Sequence, residues 1–332
     1  MTWNVLITDY AWPSIEPEKK ILEEAGAKVI IAPSTDEKAL IDLAKQSDAI
    51  LTCFAHVNSK VIESAKKCVA IGRFGVGVDN IDIEKATESG IAVTYVPDYC
   101  IDEVSDHVFA LLLSWNRKLI QLNDSVKSSG WGSMKLNMRI MRLRGKTLGI
   151  IGFGRIGQSV ANKAKVFGLK VIVYDPNNHQ NTNNEIKYVE LNQLLTNSDF
   201  ITLHAPSNNS THKMIGADQF NLMKKDAFII NCARGALIDE KALYKALTQN
   251  QISGAGLDVM IENIPSITNP LFKLENFIVT PHTAFFSQES TLELEQRGAM
   301  EVVKVMNGQM PDNLVNPEVL NHKNPRHQLT KS

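Results

Sequence analysis

Short runs of four or five apolar residues alternate with amphipathic stretches along almost the whole chain. Uninterrupted apolar runs predict strands buried on both faces, and stretches with apolar residues three and four apart predict helices that cover them. Val5-Leu6-Ile7-Thr8 opens the series, followed by a helix over Pro17–Ala25 that Gly26 stops. Strands at Lys28–Ala32, Ala49–Thr52, Val69–Gly72 and Ala92–Tyr95, with helices near Glu37–Gln46 and Ser59–Ala65, complete a first unit closed by Pro97. Asp102 then caps a predicted apolar helix of about Glu103–Leu122, and a polar loop holding Trp131 and Gly132 leads to a strand near Thr147. Further strands are expected at Val171–Tyr174, Phe200–Leu203, Phe228–Asn231, Gly254–Leu257 and Phe277–Val279. Such alternation predicts an α/β chain with parallel sheets and right-handed crossovers.

A length of 332 residues favours two domains over one. The last long helix, about Ser287–Met306, starts after the second sheet is complete, so it is expected to return to the first unit. The expected division is 1–101 plus 288–332 for one domain and 102–287 for the other. A double hinge would lie near 100 and 285, with substrate bound in a cleft between the domains. The tail after Pro311 is expected to be extended or partly disordered.

One loop carries more information than the rest. Gly152-Phe153-Gly154-Arg155-Ile156-Gly157 directly follows the apolar run Leu148–Ile151, and Asp175 ends the next predicted strand. Gly152 allows a tight turn, Gly154 lets the backbone approach a pyrophosphate, and Gly157 lets the helix pack on the strand. N–H groups at the start of that helix, from Arg155 and Ile156 onward, face the anion. Asp175 would accept hydrogen bonds from the ribose hydroxyls and repel a 2′-phosphate, and Pro176-Asn177-Asn178 supply no cation to receive one. The expected cofactor is NAD.

Composition narrows the remaining classes. A formal net charge of −1 gives no field favouring nucleic acid or an anionic membrane. No basic-then-apolar leader pattern opens the chain, and no apolar stretch reaches membrane-spanning length. Cys53, Cys68, Cys100 and Cys232 lack metal-ligand spacing, which fits a reducing cytoplasm; no metal is expected, and the Asn209-Ser210-Thr211 sequon is read as idle.

Three further segments look chemical. Asn231-Cys232-Ala233-Arg234-Gly235 ends a predicted strand, and Arg234 offers a planar fork suited to a carboxylate and its neighbouring oxygen. Thr280-Pro281-His282-Thr283 ends the last strand, and an imidazole there can pass a proton near neutral pH. In Arg73-Phe74-Gly75-Val76-Gly77-Val78-Asp79-Asn80 the glycines around Val76 allow consecutive N–H groups to form an anion nest. Cofactor, Arg, His and nest together describe hydride transfer at a carbon beside a carboxylate.

These segments, with Gly256-Leu257-Asp258-Val259, resemble the D-isomer-specific 2-hydroxyacid dehydrogenases over nearly the full chain. Val96–Cys100 with Asp102–His107 resembles the branch that holds the C-terminal binding proteins and their bacterial dehydrogenase relatives. The resemblance implies a flavodoxin-like substrate domain, a Rossmann NAD-binding domain and a homodimer formed through the helix and loop near 100–145. It implies that Arg234 holds the substrate carboxylate and carbonyl oxygen, that His282 gives and takes the proton, and that the N–H groups of Val76 and Gly77 bind the carboxylate. Asp258 would hold the nicotinamide carboxamide or its neighbours; His204, Pro206 and Cys232 would line the cofactor groove; Phe285, with Phe286, would wall the substrate side chain. His107 is read as structural.

One departure stands out. Where the resemblance expects a glutamate to orient the catalytic histidine stands Asn263, with Glu262 one residue earlier. Asparagine can accept the imidazole N–H but cannot stabilise imidazolium by charge, unless Glu262 swings into the role. The reading is therefore an NAD-dependent dehydrogenase of small 2-oxo and 2-hydroxy acids. The alternative is an NAD(H)-binding, corepressor-like interaction protein with weak or no activity.

Overall fold

The computed structural model describes residues 2–131, 138–177, 186–262, 264–322, 325–326 and 328–330, so Asn263 lies outside the described residues. It divides into two compact units, Met1–Tyr99 with Ser287–Ser332 and Cys100–Phe286.

The first unit is a five-stranded parallel sheet in the order β2-β1-β3-β4-β5. Its strands are β1 (Trp3–Ile7), β2 (Ala27–Ile31), β3 (Ala49–Thr52), β4 (Ala70–Arg73) and β5 (Ala92–Thr94). Helices α1 (Glu16–Glu24), α2 (Glu37–Ala44), α3 (Ser59–Ser64) and α4 (Ile83–Glu88) connect them. The final helix, α11 (Gln288–Met306), packs on α1, β3, β4 and β5. Ser287 caps it by accepting from the Ser290 N–H. Glycines permit the close approach: a Cβ on Gly72 would lie 2.5 Å from Val302, and one on Gly298 would lie 2.6 Å from the Phe74 ring.

The second unit is a seven-stranded parallel sheet in the order β12-β11-β10-β9-β6-β7-β8. It comprises β6 (Thr147–Ile151), β7 (Lys170–Tyr174), β8 (Lys187–Tyr188), β9 (Phe200–Leu203), β10 (Phe228–Asn231), β11 (Gly254–Leu257) and β12 (Phe277–Val279). Helices α5 (Ile101–Arg117) and α7 (Arg155–Val166) cover one face, with Trp115 stacked on Phe228 at 5.0 Å. Helices α8 (Leu191–Asn197), α9 (Ala217–Leu222) and α10 (Glu240–Thr248) contribute to the core on the other.

The structure departs from the pattern-based expectations at four places. β8 is a seventh strand, two residues long and too short to carry a period. The helix expected to run to Leu122 stops at Arg117; Lys118 adopts a left-handed conformation (φ 55°), its ammonium 3.2 Å from the centre of the Trp115 ring, and α6 (Leu119–Ser129) restarts beyond it. Asp102 does not cap α5: Cys100 holds that position, and Asp102 lies in the first turn beside Lys163. The tail, finally, is tied down. Buried Asn316 donates to Thr87 Oγ1 and Ile91 O and accepts from the Val93 N–H, a 3-10 turn follows at Pro317–Asn321, and Thr330 bridges to Gln309.

Between α1 and α11 sit two buried carboxylates, Glu18 and Glu295. Trp12 Nε1 donates to Glu18 Oε1 at 3.0 Å, and Glu18 Oε2 has no partner. Burial raises both pKa values, and with the charge of Glu18 added Glu295 reaches about 7 against an ordinary 4.5. The folded protein thus keeps a proton that the unfolded chain releases, so stability falls as pH rises from about 4.5 to about 7. Glu295→Gln is expected to raise the melting temperature above pH 7 by roughly 3–5 °C and to leave it nearly unchanged at pH 5. Equal shifts at both pH values would contradict a buried ionisation cost.

Candidate active site

The chemistry-bearing residues of the second unit lie along one edge of its sheet, the carboxyl ends of the strands. Taken in spatial order they are Asp175 after β7, Gly152–Gly157 after β6, His204 and Pro206 after β9, Cys232 and Arg234 after β10, Asp258 after β11 and His282 after β12. Strand order reverses at β6, between β9 and β7, where such sheets open a crevice for ligand.

At β6 the three glycines differ in surroundings. Gly152 has φ 89°, and a Cβ there would meet the His204 and Ala205 backbone at 2.6–2.7 Å. A Cβ on Gly157 would meet Gly152 O at 2.4 Å. At Gly154 nothing lies within 4 Å: the space that a side chain would fill is left open at the N-terminus of α7. Arg155, Ile156 and Gly157 begin that helix, where N–H groups have no intrahelical acceptor. An open cradle facing unpaired donors fits the pyrophosphate of a dinucleotide. Asp175 closes the rim, its carboxylate accepting from the Phe153 N–H at 2.7 Å and the Asn177 N–H at 2.9 Å.

Farther along the edge, burial pushes His204 down to about 4, so its imidazole is neutral at physiological pH, with Nε2 3.0 Å from Thr202 Oγ1. Pro206 is exposed, and its carbonyl accepts from Thr211 at 2.6 Å. Burial, aided by the charge of Asp258, holds the Cys232 thiol well above its ordinary value, so it is not poised as a thiolate nucleophile.

Arg234 is aimed by its own turn. Buried Asn231 donates through Nδ2 to Arg234 O at 2.8 Å and accepts from the Ala233 N–H at 3.0 Å; Arg234 Nη1 donates to Ala233 O. Gly235 lets this turn press against the next loop, since a Cβ there would lie 2.0 Å from Met260 C and O. Glu240 accepts from the Ile261 N–H at 2.6 Å and holds that loop from below.

His282 has φ 55°, a left-handed conformation uncommon outside glycine and worth reading as function where it persists. Its N–H donates to Asp258 O at 2.8 Å. The buried Asp258 carboxylate accepts from the N–H groups of Thr283 (3.0 Å) and Ala284 (2.8 Å) and from Thr280 Oγ1 (2.6 Å). Phe285 meets the His282 ring edge-on at 6.2 Å, with Phe286 against Phe285. Arg234, Asp258, Glu262 and His282 line one cavity of about 450 Å³. Glu262 is exposed at its rim.

In the first unit, Val76 and Gly77 follow β4 and are partly exposed. Arg73 is buried just before them; its Nη1 donates to Phe74 O, and its guanidinium fills the place a Cβ on Gly75 (φ 142°) would take. Asp9 at the end of β1 accepts from the N–H groups of Cys53, Phe54 and Ala55, and Asn80 Nδ2 donates to Ala55 O. The sequence reading passed over Asp9 and the side-chain role of Asn231. A polar residue closing an apolar run was the available signal for both. Among the described residues, no group of three or more His, Cys, Asp or Glu could hold a metal.

Residues 109–284 match the family described as D-isomer specific 2-hydroxyacid dehydrogenase, NAD binding domain. The chain is 42% identical over 318 residues to a D-3-phosphoglycerate dehydrogenase of Methanocaldococcus jannaschii, covering 94% of this chain and 59% of that protein. It is 40% identical to a glyoxylate reductase of Thermococcus litoralis, covering 86% of this chain and 88% of the other. A D-lactate dehydrogenase from Aquifex aeolicus, solved with NAD and lactic acid, superposes with a TM-score of 0.85 at 28% identity over 94% of this chain and 99% of its own. With the fold and the sequence in agreement, the chain belongs to the D-isomer-specific 2-hydroxyacid dehydrogenase family.

Proposed function

We propose that the protein interconverts a small 2-oxo acid and its D-2-hydroxy acid with NAD(H). The observation that carries this reading is that Arg234, after β10, and His282, after β12, line the same cavity at one edge of the dinucleotide sheet. Bound NADH supplies a hydride to the substrate C2. Arg234 pairs with the carboxylate and the carbonyl oxygen, drawing electron density onto that oxygen. His282 delivers a proton to it and recovers one in the oxidising direction. The N–H groups of Val76 and Gly77, which follow buried Arg73, are the first unit's candidate place for an anionic group of the substrate. Residues 1–101 with 288–332 form the substrate domain, and 102–287 form the cofactor domain that also carries Arg234 and His282.

Asp175 supports NAD over NADP, because a carboxylate ending the second strand of the dinucleotide unit repels a 2′-phosphate and no cation follows it in Pro176-Asn177-Asn178. Asp258 holds the carboxamide end, His204, Pro206 and Cys232 flank the groove, and Phe285 walls the side chain. The chain acts as a cytoplasmic homodimer. Exposed Leu119 and Ile120 on α6 and Trp131 beyond it support the association, and four free cysteines support a reducing compartment.

The test is oxidation of NADH or NADPH at 340 nm with pyruvate, hydroxypyruvate, glyoxylate and longer 2-oxo acids from about pH 5 to 8. Turnover is expected with NADH. His282→Ala should lower it about 10³-fold, and Asn263→Glu should extend it to higher pH by restoring a charge that favours imidazolium. Tight NADH binding with no turnover on any acid would sink the enzyme reading in favour of a corepressor-like role.

A further inference from the structure

His107 is the seventh residue of α5, within the second unit, and belongs to none of the roles above. Its Nε2 is 2.9 Å from Thr280 Oγ1 and 3.6 Å from Asp258 Oδ1. Thr280 has one hydroxyl proton and gives it to Asp258 Oδ1 at 2.6 Å. The bond from His107 must therefore run from Nε2–H to the Thr280 oxygen, which fixes the tautomer of the ring. His107 completes a chain of donors: imidazole to hydroxyl, hydroxyl to buried carboxylate.

The far end of this chain is the loop that carries His282. Asp258 also accepts from the N–H groups of Thr283 and Ala284, and its own carbonyl takes the His282 N–H. These bonds bracket the residue whose φ is 55°. A left-handed histidine persists only where its surroundings over-determine it, and the Asp258 carboxylate is the group that does so here. That carboxylate is 1% exposed, so its orientation depends on the donors it is given. Two come from the loop it must hold; the third, Thr280, is oriented by His107 from a different element, a rigid helix.

We infer that His107 is a positioning residue, holding His282 in register through Thr280 and Asp258. The inference rests on His282 being the proton donor of the proposed reaction. Without the imidazole donor, the Thr280 hydroxyl is free to turn, Asp258 loses a fixed partner, and the His282 loop relaxes toward ordinary backbone. Ground-state binding of the oxo acid through Arg234 is untouched. The loss falls on the proton-transfer step, where misplacement of a fraction of an ångström is felt.

The experiment compares His107→Leu, His107→Gln, Thr280→Val and the double variant His107→Leu/Thr280→Val, each with its melting temperature, NADH dissociation constant and steady-state kinetics. His107→Leu is expected to lower kcat about 10- to 100-fold with KM for the oxo acid changed less than about threefold. His107→Gln, which keeps an N–H donor, should recover most of kcat. Thr280→Val should match His107→Leu, and the double variant should be no worse than either single one, because both cut the same chain. Additive losses, no recovery in His107→Gln, or a lowered melting temperature with unchanged kcat would overturn the inference. A wild-type protein that binds NADH but turns over no 2-oxo acid would overturn the reading it rests on, and the inference with it.

Discussion

Arg234→Lys is expected to lower kcat/KM for every accepted 2-oxo acid about 10²- to 10³-fold while leaving the NADH dissociation constant within about a factor of two. The guanidinium presents two parallel donors to a carboxylate and its neighbouring carbonyl oxygen, and an ammonium on a flexible stem cannot address both at once. Each charge-assisted hydrogen bond is worth about 1.5–3 kcal/mol, and 1.4 kcal/mol is tenfold, so one lost bond plus looser orientation gives the stated range. The fold should not object. Arg234 is only partly buried, and the turn beneath it is held by the Asn231 side chain acting on backbone atoms. Stopped kinetics with oxo acid in excess, beside a fluorescence titration of NADH, separates the two quantities. A matching loss in NADH affinity would mean that Arg234 serves the cofactor instead.

The second large effect separates two glycines that stand two residues apart but differ in role. Gly152→Ala is expected to weaken NADH binding about 100-fold or more and to lower the melting temperature as well. An L-residue at φ 89° is strained by about 1–2 kcal/mol, and the new methyl would press on the His204 and Ala205 backbone, which cannot swing aside. Gly154→Ala should behave differently. Its methyl enters open space, so the melting temperature should stay within about 1 °C of wild type, yet NADH affinity should fall at least tenfold because the methyl occupies the pyrophosphate cradle. The pair thus tests the cofactor site without relying on turnover. Unchanged NADH affinity in Gly154→Ala would remove the dinucleotide from this loop.

The parts that were legible in the sequence share a physical cause. Parallel strands covered on both faces must be apolar throughout, so Leu148–Ile151, Phe228–Asn231 and their neighbours announce themselves as short runs. Residues with chemistry then stand out where such runs end, as Arg234 and His282 do; Asp258 is legible only through the family resemblance, and all three line one cavity. What stayed hidden depends on contacts between distant segments. The stop at Lys118 comes from a left-handed turn over the Trp115 ring, and no local helix signal encodes it. The tail looked polar and loose because the partners that order Asn316, at Thr87, Ile91 and Val93, lie more than two hundred residues earlier. The pairing of Glu18 with Glu295 and the clasp of Asp9 on the 53–55 loop are of the same kind. His107 was read as structural from its place on an apolar helix; its bond to Thr280, 173 positions away, is what brings it to the active-site loop.

The chain leaves its first unit at Tyr99 and re-enters it at Ser287. On the ribosome this inverts the order of completion. Residues 100–286 hold everything their sheet needs and can finish folding while α11 is still being made. Until then β4 waits with the hollow at Gly72 unfilled by Val302 and with Phe74 uncovered by Gly298. The amino-terminal part of the protein therefore cannot complete its packing until the second half of α11, with Gly298 and Val302, has been made.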